Sequence, residues 1–270
     1  MTFLGAAPPE LDPAAYERLA RDVRTLLGID LAQYKPAQVW RRVNGFARSN
    51  GLADVAALTA AARADRALRD RFRDMLTINV SEFLRNPEAW ARLDELVLSG
   101  TLARGRGLRA WSAGCSIGFE PYTLAMLARE RSASGLVRIL ATDIDAVALD
   151  RAKSARYTEP QMAGISPVRR DRFFVPSGDA WEVRPEIRAL VTFRRHDLLR
   201  DPFESAFDLV VCRNTVIYFT EEAKAQLFRR LAASVRPGGA LFIGATEAIA
   251  SPREIGLAPL APSLFTRIGA

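Results

Sequence analysis

Gly114, Gly118 and Glu120 lie in a short loop that follows one predicted strand and opens a predicted helix. Glycines at such points let the backbone turn tightly and approach a ligand without a Cβ clash. The spacing differs from the G-x-G-x-x-G run of a nicotinamide dinucleotide site. A carboxylate at the positive end of the helix dipole would also repel a pyrophosphate, whereas it would attract an ammonium group. The loop therefore favours S-adenosylmethionine over NAD.

A second acidic position ends the next predicted strand. Asp143 follows Gly118 by 25 residues, near the separation at which a carboxylate accepts hydrogen bonds from ribose hydroxyls. Asp143 or Asp145 can instead cap the helix that follows, as short acidic side chains often do. We assign the ribose contact to Asp143 and the cap to Asp145, and capping by Asp143 remains the alternative.

A third group of polar residues follows the apolar strand predicted over residues 207–212. Arg213 and Asn214 project just beyond the carboxyl end of this strand, which is the rim where open α/β sheets bind ligands. Tyr218 can reach the same crevice, although an aromatic residue here is also compatible with plain packing. This run therefore adds candidate contacts for the same ligand.

A fourth run, over residues 77–85, carries Asn79, Ser81 and Arg85. By themselves, Asn79 and Ser81 suggest only a helix cap. Together, however, the four runs resemble the CheR-type family of chemotaxis receptor methyltransferases. The shared patterns occur in the same order: Asn-x-Ser/Thr-x-Phe-x-Arg, Ser-x-Gly-x-x-x-Gly-x-Glu-Pro-Tyr, Thr-Asp-Ile-Asp and Cys-Arg-Asn-x-x-x-Tyr-Phe. The likeness extends over nearly the whole chain, from Tyr16 to Ile268.

The resemblance implies a cofactor, a substrate and a set of site residues. The cofactor would be S-adenosylmethionine, with S-adenosylhomocysteine as its product. The substrate would be glutamate side chains on the cytoplasmic helices of methyl-accepting chemoreceptors, and the family associates catalysis with Arg85 and Tyr218. The positions expected to contact the cofactor are Asn79, Ser81, Arg85, Gly114, Glu120, Asp143, Asp197, Leu198, Arg213 and Asn214.

Three positions depart from the family pattern. Phe119 replaces a residue that is usually acidic, and Leu84 replaces the second aromatic residue of the asparagine run. Residues 244–247 read Gly-Ala-Thr-Glu where the family usually has Gly-His-Ser-Glu. Of these, Phe119 is the one expected to weaken cofactor affinity, and none removes a residue with an assigned direct role.

The implied reaction is in-line transfer of the sulfonium methyl to a glutamate γ-carboxylate. Because a glutamate has a reference pKa of about 4.3, the nucleophile is already ionised at neutral pH. No general base is needed, so the single histidine, His196, is not expected to act chemically. Arg85 can hold the incoming carboxylate, and Tyr218 can orient it or the carboxylate of the cofactor.

The elements that must position these residues alternate between short apolar runs and helical segments. Such alternation predicts a parallel sheet with helices on both faces, here a Rossmann-like α/β methyltransferase domain over residues 96–270. A proline- and glycine-rich stretch, about 158–190, interrupts the pattern and predicts a small antiparallel β-insertion. The expected strands are residues 108–113, 137–142, 189–193, 207–212 and 240–244, with a turn at residues 237–239 before the last.

Residues 1–95 are expected to form an all-helical N-terminal domain. Within it, a helix over about residues 34–48 carries Arg41, Arg42 and Arg48 and no acidic residue. The resemblance gives this basic surface a partner, because the methylated receptor helices are rich in Glu and Gln. Binding would be weak and salt-dependent. The alternative is an ordinary solvated face.

Composition limits the remaining possibilities. Hydrophobic residues make up 49% of the chain and charged residues 26%, as in a soluble globular protein. Two cysteines are too few for a disulfide framework, which favours the cytoplasm. One histidine and two cysteines lack the spacing of a metal site. No run is long enough to span a membrane, and we expect a monomer without membrane insertion.

Two rival functions remain open at this point. The formal charge of +7 is compatible with a methyltransferase for nucleic acid or for a small molecule. The sequence has neither an Asn/Asp-Pro-Pro-Tyr base-methylation motif nor an aromatic and basic stripe suited to base stacking, so we expect no nucleic-acid partner. A non-catalytic sensor that binds S-adenosylmethionine is the second rival, because of Phe119 and the altered 244–247 run.

Overall fold

The computed structural model describes residues 10–77, 81–103 and 107–269. It divides into two compact units, and each is considered by itself below. The first unit contains the chain up to residue 79 together with Tyr218–Ala223. The second contains residues 80–217 and 224–270.

The first unit is helical. Asp12 caps its first helix by accepting hydrogen bonds from two backbone N–H groups, and Pro36 begins the second, where its fixed φ suits a first turn. Leu19, Val23 and Phe72 are among the apolar side chains that fill its core. The helices are α1 (Pro13–Leu27), α2 (Pro36–Ser49), α3 (Val55–Ala64) and α4 (Arg66–Thr77).

A seven-stranded sheet forms the centre of the second unit, with strand order β6-β2-β1-β7-β8-β10-β9. The first five strands in this order are parallel, and the last two pair antiparallel. The strands of the chain are β1 (Leu108–Ala113), β2 (Val137–Asp143), β3 (Arg156–Thr158), β4 (Phe174–Ser177), β5 (Ala180–Val183), β6 (Val191–Arg195), β7 (Phe207–Cys212), β8 (Val235–Ile243), β9 (Leu257–Ala261) and β10 (Leu264–Arg267).

Helices alternate with the strands of this sheet along the chain. Strands β1 and β7 are buried along almost their whole length, as expected for a parallel sheet. Residues Asp94–Leu98 form a π-helical turn between two of these helices. The helices are α5 (Pro87–Leu93), α6 (Ser99–Ala103), α7 (Phe119–Arg131), α8 (Ala146–Ser154), α9 (Pro167–Phe173), α10 (Pro185–Arg188) and α11 (Glu221–Ser234). The predicted Rossmann-like α/β architecture is confirmed.

The predicted antiparallel insertion is a three-stranded sheet in the order β3-β5-β4. Its strands pair antiparallel through Tyr157 and Trp181 on one side and Pro176 and Trp181 on the other. Tyr157 and Phe174 are buried in the core of the second unit. The insertion is therefore packed onto the methyltransferase fold instead of forming a separate core.

The division of the chain differs from the predicted boundary at residue 95, which falls inside the second unit. Trp90, Leu93 and Leu98 belong to the same buried cluster as Leu108 of β1, so α5 and the π-helical turn share the core of the sheet. A helical pattern in the sequence does not reveal which core a helix packs against, so the sequence alone does not fix this boundary.

The turn predicted at residues 237–239 is instead included in strand β8. Phe207 pairs with Val235 and Leu209 with Ala240, so several residues of β8 lie opposite one residue of β7. Gly238 takes a φ of +71° within this irregularity. The proline and glycines therefore interrupt the regular pairing within β8, which resumes at Ala240.

Candidate active site

The loop between β1 and α7 requires its two glycines. Gly114 has a φ of +87°, and a Cβ there would clash with the side chain of Thr215. Gly118 has a φ of +94°, and its Cβ would lie 3.0 Å from the hydroxyl of Tyr157. Left-handed backbone and close neighbours both exclude a side chain. The loop is thus held as a tight backbone cradle at the carboxyl end of β1.

Glu120 presents a carboxylate in the first turn of α7. Its Oε1 accepts a hydrogen bond of 2.7 Å from the hydroxyl of Ser112. Burial raises the pKa of Glu120 from 4.5 to about 7, and the negative charge of Glu247 adds to this rise. The positive charge of Arg213 and the Ser112 hydrogen bond act in the opposite direction but do not cancel it. The carboxylate is therefore incompletely compensated, and an external cation would stabilise its charged form.

Arg213 is the main buried cation beside Glu120 and is only 7% exposed. Its Nη2 donates to the carbonyl oxygen of Arg85 at 2.9 Å and to Asn86 Oδ1 at 3.0 Å. Its guanidinium carbon lies 4.7 Å from the ring centroid of Phe242. Burial lowers the pKa of Arg213, while Glu120 raises it. The Nε–H is buried without a hydrogen-bond partner among the described residues, so it remains a donor for an outside acceptor.

Glu247 fixes the loop that carries Asn214. Its Oε2 accepts from the backbone N–H of Asn214 at 3.0 Å and of Gly244 at 2.7 Å, and its Oε1 accepts from Val216 N–H at 3.0 Å. These three bonds hold Asn214 at a φ of +58°. We call Glu120, Arg213 and Glu247 the charged cluster. The sequence reasoning did not select Glu247 as a site residue, although the altered Gly-Ala-Thr-Glu run contained the signal.

Asp143 lies at the carboxyl end of β2, next to the cradle. Its two carboxylate oxygens accept from the backbone N–H groups of Ser116 at 2.8 Å and Asp145 at 2.9 Å. Burial raises the pKa of Asp143, and these hydrogen bonds oppose the rise. Each oxygen keeps a second lone pair with which to accept a hydroxyl donor. Asp145 caps α8 by accepting from Val147 N–H at 2.9 Å, as predicted.

The residues after β6 continue this edge of the sheet. The backbone N–H of His196 donates to the Asp143 carbonyl at 2.9 Å, which brings Asp197 and Leu198 near Asp143. Asp197 Oδ1 accepts from Leu199 N–H at 2.8 Å, and Leu198 is buried. His196 packs edge-on against Trp111, and burial lowers its pKa. A neutral, packed imidazole agrees with a structural role for His196.

Ser81 and Arg85 belong to a segment that Phe83 anchors in the core. The Phe83 ring makes edge-to-face contacts with Phe119 at 4.7 Å and Tyr157 at 4.9 Å between centroids. Leu84 takes a φ of +54°. Through the Arg85 carbonyl, the segment is bonded to Arg213 of the charged cluster. Asn79, the remaining predicted residue of this run, lies outside the described residues.

Two family models match adjacent parts of the chain. The all-alpha domain of CheR methyltransferases matches residues 14–77, and the SAM-binding domain of CheR methyltransferases matches residues 79–258. The chain belongs to the CheR methyltransferase family. This confirms the predicted family, and with it S-adenosylmethionine as the cofactor. The junction between the two matches also agrees with the division near residue 79 rather than with 95.

Named relatives resemble the chain over most of their length. It is 43% identical over 246 residues to a chemotaxis protein methyltransferase of Listeria monocytogenes, which covers 91% of this chain and 94% of that protein. It is 35% identical over 254 residues to chemotaxis protein methyltransferase 1 of Pseudomonas aeruginosa, covering 89% and 92%. The similarity therefore includes both units and not only the cofactor-binding fold.

Phe119, the main departure from the CheR pattern, is only 2% exposed. Its ring packs against Phe83 and Tyr157 at 4.7 and 4.9 Å. In this chain the position therefore joins the cofactor loop to the Ser81–Asn86 segment through an aromatic cluster. Whether cofactor affinity is weaker for it stays a prediction.

Tyr218 and the basic helix both belong to the first unit. Arg41 and Arg48 on α2 are exposed, and we call them the exposed arginine pair. Arg42 differs, because it is half-buried and its guanidinium carbon lies 4.8 Å from the ring centroid of Tyr218. The three arginines predicted to act alike thus have two different environments.

Within the described ranges, no helix combines the length and apolar character needed to cross a bilayer. Over the same ranges, no group of three or more His, Cys, Asp or Glu side chains is arranged to hold a metal ion. Cys115 and Cys212 are both buried thiols.

Proposed function

We propose that this chain methylates glutamate side chains on bacterial chemoreceptors, with S-adenosylmethionine as methyl donor. The observation that carries the proposal is membership of the CheR family over both units, 14–77 and 79–258. The charged cluster and the cradle supply chemistry that fits the donor. A receptor-modifying enzyme must reach the cytoplasmic part of its receptor, so we infer a cytoplasmic location and expect a monomer.

The residues present suit S-adenosylmethionine by charge and by shape. Glu120 offers an undercompensated carboxylate to an ammonium group, whereas a phosphate would be repelled. Gly114 permits the tight left-handed turn of the cradle, and Asp143 keeps acceptor capacity for ribose hydroxyls. The Nε–H of Arg213 can serve a carboxylate acceptor. When bound, the cofactor supplies an electrophilic methyl group on a sulfonium.

The protein's contribution to the reaction is positioning and exclusion of water. The accepting glutamate is already ionised, so the chain need not remove a proton. Holding the carboxylate in line and partly desolvated can supply on the order of 7 kcal/mol of the barrier reduction. We assign the holding of this carboxylate to Arg85, and to Tyr218 the orientation of the carboxylate or of the cofactor.

The exposed arginine pair is proposed to recognise the receptor. Methylated receptor helices carry many Glu and Gln side chains. Arg41 and Arg48 carry positive charge on the exposed side of α2, away from its buried residues. Contacts of this kind accelerate encounter and set orientation more than they add affinity. They weaken as the salt concentration rises.

The decisive experiment measures tritiated methyl transfer from S-adenosylmethionine into receptor-rich membranes. Label released as methanol on mild base identifies a carboxyl methyl ester, and we expect such release. The control uses membranes with a receptor whose methylatable glutamates are replaced by alanine, which should remain unlabelled. Base-stable label would indicate a different acceptor, and cofactor binding without any transfer would indicate a sensor; either result overturns the proposal.

A further inference from the structure

Arg42 has contacts that its neighbours on α2 lack. Arg41 and Arg48 extend into solvent, whereas Arg42 is half-buried against two other parts of the first unit. One part is the end of α4, and the other is the segment Tyr218–Ala223. A side chain engaged on both sides is poorly placed to meet an external partner.

The first contact of Arg42 is with the end of α4. Its Nη2 donates to the carbonyl oxygen of Met75, one of the last four carbonyls of a helix that ends at Thr77. Such carbonyls lack a partner within the helix, and a cation there also meets the negative end of the helix dipole. Arg42 therefore fixes the end of the helix that leads directly into Asn79, Ser81 and Arg85 in the sequence.

The second contact is with Tyr218. The guanidinium carbon lies 4.8 Å from the centroid of the ring, a cation–π distance. Burial lowers the pKa of Arg42, and the Tyr218 side chain opposes this by its charge interaction and by a hydrogen bond. The guanidinium thus contacts an aromatic side chain and a carbonyl oxygen at once, an arrangement that an ammonium group does not reproduce.

The backbone around Tyr218 is held independently by the same helical unit. The N–H of Lys35 donates to the Tyr218 carbonyl at 2.8 Å, and the N–H of Thr220 donates to the Gln33 carbonyl at 2.8 Å. The rings of Tyr34 and Phe219 meet edge to face at 5.1 Å. With the backbone fixed in this way, the contact with Arg42 restricts where the Tyr218 ring points.

We propose that Arg42 is a positioning residue for methyl transfer, which orients Tyr218 and fixes the end of α4, and is not a receptor-docking residue like Arg41 and Arg48. The inference rests on the proposed function, because it assigns to Tyr218 a part in the reaction. It predicts a loss in kcat without the changes in receptor KM and salt dependence that a docking residue would show.

The test compares Arg42→Gln, Arg42→Lys and Tyr218→Phe, and the double variant Arg42→Gln/Tyr218→Phe, with the wild-type chain. Arg41→Gln represents docking, and Arg21→Gln, an exposed arginine on α1, controls for loss of charge. For Arg42→Gln we expect kcat to fall on the order of 10- to 100-fold, with receptor KM and its salt dependence close to wild type. Arg42→Lys should recover only part of this loss. In the Tyr218→Phe background the Arg42 effect should largely disappear, because residues that act through one another are non-additive.

Hydrogen exchange gives a readout that does not depend on activity. Arg42→Gln should increase deuterium uptake in peptides that contain the end of α4, because the Met75 carbonyl loses its donor, whereas Arg41→Gln and Arg21→Gln should not. Unchanged uptake at the end of α4 would overturn the proposal. So would equal losses with and without Tyr218, or a rise in receptor KM alone. If the wild-type chain transfers no methyl group, the proposed function fails, while the exchange data still decide whether Arg42 fixes the end of α4.

Discussion

The charged cluster of the second unit and the exposed arginine pair of the first hold their charges in opposite ways. Glu120, Arg213 and Glu247 are bonded to named partners at 2.7 to 3.0 Å, and burial shifts the pKa values of Glu120 and Arg213. Arg41 and Arg48 extend into solvent. In the charged cluster, each charge has a defined position and is at least partly shielded from water, so its electrostatic interactions are strong. Around the exposed arginine pair, water and salt screen the charges.

This difference separates two kinds of recognition within one chain. A small ligand with fixed charges is best selected by buried, preorganised groups, since each misplaced or missing partner leaves a desolvated charge. A long acidic helix is best attracted by solvated side chains that adapt, because such contacts need not be exact in geometry. Loss of a buried charge should therefore have large effects on cofactor binding or folding, and loss of an exposed one small effects on receptor encounter.

The largest effect is expected for Glu120→Gln. The amide keeps an acceptor for the Ser112 hydroxyl but loses the charge that would pair with the ammonium group of the cofactor. We expect affinity for S-adenosylhomocysteine, measured by calorimetry, to fall on the order of 1,000-fold, or about 4 kcal/mol. Glu254→Gln, an exposed glutamate of the same unit, is the control and should bind as wild type.

The same variant should not be less stable at pH 8. The folded-state pKa of Glu120, about 7, is raised above its ordinary 4.5, so its ionised form disfavours folding once the pH exceeds that range. The midpoint of urea unfolding should therefore be unchanged or higher in Glu120→Gln. A marked loss of stability together with lost binding would mean that Glu120 is a structural rather than a ligand-binding carboxylate.

Replacement of Glu247 should show the reverse pattern, with stability affected first. The three backbone N–H groups of Asn214, Val216 and Gly244 share its two oxygens. In Glu247→Gln, an NH2 group replaces one of the two oxygens. At least one of these backbone N–H groups would then lose its acceptor. Because hydrogen bonds to a charged group contribute about 1.5 to 3 kcal/mol each, we expect the free energy of unfolding to fall by about 3 kcal/mol.

Urea titration measures this change, with Glu254→Gln as the matched control. If the free energy of unfolding fell by less than about 1 kcal/mol, Glu247→Gln would resemble an ordinary surface substitution. That result would contradict the inference that Glu247 fixes the loop that carries Asn214. It would also weaken the contrast between the hydrogen-bonded charges of the charged cluster and the exposed arginine pair.

Glu120 and Glu247 show which site residues can be identified from the sequence alone and which cannot. Glu120 was identified because its position is local: a glycine loop, a helix start and a carboxylate within a few residues. Glu247 was missed because its partners, Asn214 and Val216, lie more than 30 residues away in the sequence. Hydrogen bonds across such separations leave no periodic pattern, so only the folded chain reveals them.

Helices and strands were likewise predictable where the signal is local in the sequence, and not where it depends on tertiary contacts. Strands β1 and β7 were predicted at the bounds that they have, because both are short, mostly apolar runs of the kind that is buried in a parallel sheet. The division near residue 79 was not predicted, since α5 is helical like the helices before it but packs with β1. The different environments of Arg41 and Arg42 were also hidden, because the contacts with Met75 and Tyr218 are tertiary.

An intermediate effect is expected from pH. With a pKa of about 7 for Glu120, its ionised fraction should rise roughly eightfold between pH 6 and 7.5. The affinity for S-adenosylhomocysteine should rise by a similar factor, because its ammonium group favours the ionised carboxylate. Binding below pH 7 should also release a proton, seen as a dependence of the calorimetric enthalpy on the buffer. A flat profile in the wild type, or the same slope in Glu120→Gln, would contradict this assignment.

The smallest effects should come from the exposed arginine pair. Arg41→Gln and Arg48→Gln each remove a solvated charge, and exposed charges contribute little to affinity at physiological salt. We expect receptor KM to rise about threefold in each variant with kcat unchanged, and the difference from wild type to disappear in high salt. Arg21→Gln serves as the charge-matched control on α1 and should show no change. A fall in kcat for Arg41→Gln or Arg48→Gln, or an effect that persists in high salt, would show that these arginines act within the reaction and would remove the distinction between the two regions.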